Sequence, residues 1–386
     1  MNLHQCPNAP CLFYGEIIPN KPPIYVGVYV DDIIYFSPSD EIEKEFETQL
    51  ETHVTAVDYM GPVSHFLGVK FEWKKEDEHL HLHLSQEAFT ETLLEQFNYN
   101  DETVNTRPTP YRSGLPVDAI PDIILPTNKR QEIETKLRSL VGSFNWLATA
   151  TRPDIATITN MLAQYQHFPS PGHLEAAKYV LRYLKGTKSK GITLSSKNNQ
   201  TLQSFIKFPI VNDKIAAITD ANWGPQDQSL PTKRSSQEIA LHKTRSISGY
   251  AIYVNGLLHW NSKRQTITAA STTESEIYAT NEAVKELLHI KNIIEDLDMT
   301  EYFFQPTTPI FNDNAGCVDW SKSYTMKSIR HMQIRENLVR ENVQSNFITI
   351  KHCEGKLNIA DLFTKEDKDV SHFCTIRDVL VQDPFI

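Results

Sequence analysis

The stretch that most restricts the fold is SISGYAIYVNGLLHWNS, residues 246–262. Two β-rich runs flank Asn255-Gly256, residue types that accept the positive φ angles of a tight hairpin, so the segment predicts two antiparallel neighbouring strands. A short apolar strand, KIAAITDANW (214–223), precedes it, and a helical pattern from about Thr272 to Leu297 follows. PIFNDN (309–314) and FITIKHC (347–353) are two more strands, with helical stretches between them. This order predicts an α/β (α+β) domain over 201–370, a mixed sheet with helices packed on it.

Upstream, Leu137, Leu140, Val141, Phe144 and Leu147 recur at helical spacing. Helices are predicted over 132–150, 155–167 and 173–184, with a break at Arg152-Pro153. IYVGVYVDDIIYF (24–36) reads as a hairpin with Asp31 and Asp32 at its turn, and Ser39 caps the amphipathic EIEKEFETQL. FLGVKFEW and HLHLHL form another strand pair, followed by a helix over 86–97. Prolines at 108, 110, 116, 121 and 126 mark a linker. The expected division is 1–110, a linker 111–130, a helical segment 131–200, the mixed sheet 201–370 and a tail 371–386.

No run of about 18 apolar residues exists, so no membrane span is expected. The first residues lack the basic flank and apolar block of a signal peptide, and five scattered cysteines fit a reducing, intracellular compartment. The net charge of −10 argues at first against nucleic acid, but it is uneven. Residues 1–110 hold 6 basic and 19 acidic side chains, whereas the remainder holds 32 and 29. The later part can therefore meet a polyanion.

Four carboxylates carry the chemistry. Asp220 ends the first strand of the C-terminal part, Glu274 lies near the start of the long helix, Asp313 ends PIFND, and Asp361 opens the last helix in NIADLFTK. Strand ends and helix starts can converge on one sheet edge, where four carboxylates repel one another unless cations lie between them. Hard oxygen donors favour Mg²⁺ or Mn²⁺ over Zn²⁺. Two ions roughly 4 Å apart would activate a water and stabilise a leaving oxygen in phosphodiester hydrolysis. The competing reading is that these are solvated members of a set of 48 acids.

The phrases YVDDIIYF, FLGVKFEW with LSQEAF downstream, TRPDI, KYVLRYLKGT, TDANWG, SISGYAIYVNG, STTESEIYA, FNDNAGC, RHMQIRENLVRE and NIADLFTKE occur in that order from about residue 11 to 366. In this series the chain resembles the C-terminal part of a copia-type long-terminal-repeat retrotransposon polyprotein, from within its reverse transcriptase through its ribonuclease H. The resemblance implies a partial reverse-transcriptase palm, a helical thumb or connection segment and a ribonuclease H-like domain. It places the ribonuclease H acids and metal ligands on Asp220, Glu274, Asp313 and Asp361, with Mg²⁺ or Mn²⁺ as cofactor, and implies an RNA–DNA hybrid as partner and a cytoplasmic particle or the nucleus as location.

The resemblance also implies that His352, nine residues before Asp361, could assist proton transfer, although a surface histidine at a strand end is the commoner case. Lys263, Arg264, Lys327, Arg330, His331 and Arg335 could contact phosphates or simply form a solvated face. Trp223 and Trp260 are expected in the core. His79, His81 and His83 share one strand face, for which a polar surface is the better reading than zinc, and His4, Cys6 and Cys11 make an equally thin case.

Asp31 and Asp32 match the polymerase YVDD pair, but the residues before them contain no Asp and only Glu16 as an acid. Reverse transcriptases need a further upstream Asp, so the pair is expected to be a vestigial polymerase site and DNA synthesis is not expected. The expected activity is metal-dependent endonucleolytic hydrolysis of the RNA strand of hybrids. The alternative is a non-catalytic transposon remnant or a nucleic-acid-binding module.

Overall fold

The computed structural model describes residues 1–54, 56–111, 126–167, 169–197, 200–206, 214–224, 245–303, 307–323, 337–365 and 369–385. They form two compact units, Met1–Leu67 with Lys285–Phe304, and Gly68–Val284 with Gln305–Ile386. Several sheets and helices make the chain a mixed α+β protein. No helix among the described residues is long and apolar enough to cross a membrane.

In the first unit, β1 (His4–Gln5), β2 (Leu12–Gly15), β3 (Ile24–Tyr29) and β4 (Asp32–Phe36) form an antiparallel sheet in chain order. Tyr29 pairs with Asp32, which leaves Val30 and Asp31 as a two-residue turn, with Val30 in the left-handed region at φ 54°. Ser39 accepts the Ile42 N–H and starts α1 (Asp40–Glu51). Ile42, Phe46 and Leu50, spaced at one helical turn, bury against Ile24 and Val26. The two-residue strand β5 (His65–Phe66) lies near the end of this segment.

The second unit holds β6 (Val69–Glu76), β7 (His79–Ser85), α2 (Glu87–Gln96), α3 (Thr127–Ala150), α4 (Ala156–Ala163), α5 (Pro171–Gly186), β8 (Ile192–Ser195) and α6 (Gln200–Ile206). Its main sheet follows, from β9 (Ile215–Asn222), β10 (Ile247–Val254), β11 (Leu257–Arg264), β12 (Thr308–Asn312) and β13 (Ile348–His352), in the order β11-β10-β9-β12-β13. β9, β10 and β11 are antiparallel, whereas β12 runs parallel to both β9 and β13. The hairpin turns where expected, with Asn255 at φ 54° and Gly256 at φ 140°. The remaining helices are α7 (Thr272–Asp296), α8 (Thr300–Phe303), α9 (Ala315–Lys322), α10 (Asn337–Gln344) and α11 (Val370–Leu380). α7 runs on into the first unit, to which α8 also belongs.

Three features differ from the sequence expectation. The unit holding the Asp31–Asp32 hairpin ends at Leu67 rather than near 110, because β7 pairs with β8 more than a hundred residues later, Leu84 opposite Ile192. The helices α3 to α5 are not a separate body: Phe144, Leu147 and Leu181 share one buried cluster with Ile218, Phe311, Phe363 and Phe373. The Trp260 indole N–H also donates to the Ala148 carbonyl at 2.7 Å. Residues 371–386, expected as a tail, include most of α11, which buries Phe373, Ile376 and Leu380 in that cluster. The proline-marked linker falls mostly on 112–125, outside the described residues.

Candidate metal centre

β9 reads IAAITDAN and is buried along most of its length, as befits the middle strand of a covered sheet. Asp220 stands near its end, 3 % exposed. Because β12 lies parallel to β9 with Asn312 opposite Thr219, the next residue, Asp313, leaves the sheet at the level of Asp220. Asp361 comes from a 3₁₀ turn, Ile359–Phe363, which Asn358 starts by accepting the Ala360 N–H and ties to the sheet by donating to the Thr219 carbonyl at 3.1 Å. The result is a group in which oxygens of Asp220, Asp313 and Asp361 all lie within 4.8 Å of one another. These oxygens could hold a divalent cation.

The turn reaches the sheet through a gap in the side chains. Gly249 sits opposite Asp220 on β10, and a Cβ there would lie 2.6 Å from the Phe363 Cβ and 2.7 Å from the Thr364 Cγ2. Thr364, held at this spot, donates its hydroxyl to Asp220 Oδ2. Gly249→Ala is expected to cost about 1–3 kcal/mol through overpacking and to displace Asp361. Urea denaturation together with divalent-ion titration would measure both effects, and an unchanged ion affinity would show that the close approach is not needed.

Glu274 stands apart from the cluster. Its Oε2 accepts the Ala270 N–H at 2.6 Å, just ahead of α7. Two residues along a helix are about 200° apart around the axis, so Glu276 faces the opposite way, toward the aspartates. Glu276 is 5 % exposed, and the Asn312 amide donates to its Oε2 at 2.9 Å. The sequence expectation, from the helix start and the family resemblance, was Glu274 in STTESE. The usable signal was the apolar face: Ile277, Thr280 and Val284 are buried on α7 and share the side of Glu276.

Crowding and burial set the charge state of the group. Burial, then the charge of Asp220, pushes Asp361 up to about 7, and the same two causes push Glu276 up to about 9. Asp220 is raised as well, chiefly by burial. Burial and the neighbouring aspartates raise the Cys353 thiol to about 12. Crowded acids that resist ionisation fit a cation site with oxygen donors. A carboxyl with a raised folded pKa holds its proton more tightly in the native state than in the unfolded one. Native stability of the ion-free chain should therefore fall as pH rises from the ordinary carboxylate range through about 7 and on toward about 9. Cations reverse this, since they bind the ionised form, so the upward shift of melting temperature by Mg²⁺ should grow over the same interval. Calorimetric scans at pH 5, 7 and 9 with and without Mg²⁺ test this, and pH-independent shifts would contradict it.

The other expected residues fall in several places. His352 ends β13 at the rim, exposed, with Nε2 3.1 Å from the Asp313 carbonyl oxygen. Lys263 and Arg264 lie on β11, beyond β10 from Asp220, and line a shallow pocket with Tyr278 and Glu282 rather than joining the carboxylates. Lys327, Arg330, His331 and Arg335 lie outside the described residues. Trp223 is 36 % exposed and so is not a core residue; its indole N–H donates to the Ala269 carbonyl. Asp31 and Asp32 are exposed on their hairpin. His83 is fully buried, its Nδ1 3.1 Å from the Thr193 hydroxyl, so that strand face is not simply polar surface. Among the described residues, neither His79, His81 and His83 nor His4, Cys6 and Cys11 come close enough together to hold an ion. Lys365, Thr364 and Asn312 belong to the site without having been singled out.

The chain is 28 % identical over 347 residues to the retrovirus-related Pol polyprotein from transposon RE2 of Arabidopsis thaliana, a match covering 89 % of this chain and 21 % of that protein. It is 25 % identical over 358 residues to the corresponding polyprotein from transposon TNT 1-94 of Nicotiana tabacum, covering 92 % and 24 %. Its homologues are retrovirus-related Pol polyproteins of copia-like transposons. The chain spans about a fifth of the length of the Pol polyproteins it matches. A shorter relative, an uncharacterized mitochondrial protein of Arabidopsis thaliana, is 27 % identical over 259 residues, 66 % of this chain and 90 % of that protein. No family model matches the chain. These relationships support a transposon-derived protein.

Proposed function

We propose that the second unit is a ribonuclease H-like domain that cuts the RNA strand of RNA–DNA hybrids with the help of Mg²⁺ or Mn²⁺. The observation that carries this reading is the convergence of Asp220, Asp313 and Asp361 within 4.8 Å beside the buried Glu276. These four carboxylates would hold two ions, which supply a water activated at neutral pH and charge stabilisation for the leaving oxygen. Asn312 fixes the Glu276 carboxylate, and Thr364 fixes that of Asp220. His352 at the rim is exposed beside Asp313, where it can pass a proton between solvent and the site. The wide minor groove and 2′-hydroxyls of the hybrid would give recognition by shape rather than by sequence. Asp31 and Asp32 have no third acid with them among the described residues, so the reading rests on the second unit.

The full chain, incubated with an end-labelled hybrid and Mg²⁺ or Mn²⁺, is expected to shorten the RNA and leave the DNA intact. Asp313→Asn is expected to slow cleavage on the order of 10³-fold, the loss of several kcal/mol of charge stabilisation. A chain that binds ions and hybrid yet leaves the RNA whole would be a non-catalytic binding module instead.

A further inference from the structure

The carboxylate cluster already contains one cation of its own. Lys365 follows Asp361 by four residues, and its Nζ lies 2.7 Å from Asp361 Oδ1. The Lys365 side chain remains 45 % exposed, whereas that of Asp361 is 17 % exposed, so the ammonium enters the site from its solvent side. Its charge also acts on Asp220 and Asp313, so it sits within the field of all three aspartates. An ion ligated by Asp361 must share that carboxylate with the ammonium, and two cations a few ångströms apart repel strongly. The long, flexible stem lets the Lys365 head group swing outward while its backbone N–H keeps its bond to the Asp361 carbonyl.

We propose that Lys365 is a tethered competitor for the divalent ions: it compensates the aspartates when no ion is bound and must leave Asp361 when one enters. It thereby weakens ion binding and makes ion entry and release a matter of side-chain exchange. This rests on the reading of the carboxylates as a metal centre. It makes Lys365 a positioning residue whose role is visible in ion affinity, apart from any effect on cleavage.

The test is calorimetric titration of Mg²⁺ and Mn²⁺ into the full chain, its Lys365→Met variant and Lys190→Met. The last removes the same charge from an ion pair with Asp378 and Asp383, acids that do not belong to the carboxylate cluster. Lys365→Met is expected to bind ions about tenfold more tightly, the share of a close charge pair left after partial solvent screening, while Lys190→Met binds as the parent does. Equal ion affinity in parent and Lys365→Met, or weaker binding in the variant, would overturn the proposal while leaving the metal centre standing. No ion binding by the parent would remove the metal centre itself, and the proposal with it.

Discussion

Glu276→Gln is expected to lose hybrid cleavage on the order of 10³-fold, whereas Glu274→Gln keeps most of it, within about fivefold of the parent. The two acids are neighbours in sequence, and the helix separates their roles. Glu276 is buried next to Asp220 and held by Asn312. Glu274 is engaged with the Ala270 N–H at the helix start. The stability effects should run the other way. With a pKa of about 9, Glu276 is protonated in the ion-free chain at neutral pH, and glutamine reproduces that neutral form. Glu276→Gln should therefore melt no lower than the parent without ions, and lose the upward shift that Mg²⁺ confers. Glu274→Gln weakens the side-chain acceptor of the Ala270 N–H at the start of a helix, worth about 0.5–1 kcal/mol. Single-turnover cleavage and melting curves on both variants decide the matter. Full cleavage by Glu276→Gln would exclude that residue as a ligand.

The largest expected loss of stability lies away from the site. Arg152 and Asp154 are buried together in the TRPDI segment, with Arg152 Nη2 2.7 Å and Nε 3.0 Å from the two carboxylate oxygens. Arg152 also donates to the Thr187 carbonyl and hydroxyl, and the Tyr183 hydroxyl donates to Asp154. Each guanidinium nitrogen and both carboxylate oxygens have partners in this group, which is what makes a fully buried ion pair tolerable. Arg152→Ala would strand a buried carboxylate and the Thr187 carbonyl, at a cost of about 3–5 kcal/mol. Replacing both partners, as Arg152→Met with Asp154→Leu, should recover much of that loss, because no charge is then left unpaired. Urea midpoints for the single and double variants measure the coupling. A single variant within about 1 kcal/mol of the parent would mean that solvent reaches the pair.

The elements themselves were legible because they rest on short-range chemistry. Asn255-Gly256 specifies a hairpin wherever the strands go, and both residues take the positive φ that their types allow. Ser39 caps α1, and the apolar spacing of Leu137 to Leu147 gives the buried face of α3. Asp220, Asp313 and Asp361 could be chosen because strands and turns in this order end at one edge of the sheet. The choice between Glu274 and Glu276 could not be made from distance to the helix start, since it depends on which side of α7 meets the sheet. Trp223 and His83 were misjudged for a related reason: hydrophobicity and alternation do not say which face a neighbour covers. The compact unit ends at Leu67 rather than near residue 110 because β6 and β7 take their partner β8 from beyond the helices.

Of the four carboxylates named from the sequence, Asp220, Asp313 and Asp361 lie together, and Glu274 stands apart from them. The sequence by itself determined the order of strands and helices, the hairpin, the Ser39 cap and the strand-end and turn positions of Asp220, Asp313 and Asp361, because each depends on residues close together along the chain. Tertiary structure alone decided that Glu276 faces the aspartates, that Gly249 leaves room for the turn carrying Asp361, and that Lys365 reaches back to the site. Those three are matters of packing and charge between segments distant in sequence, where burial and repulsion act only once the chain has closed on itself.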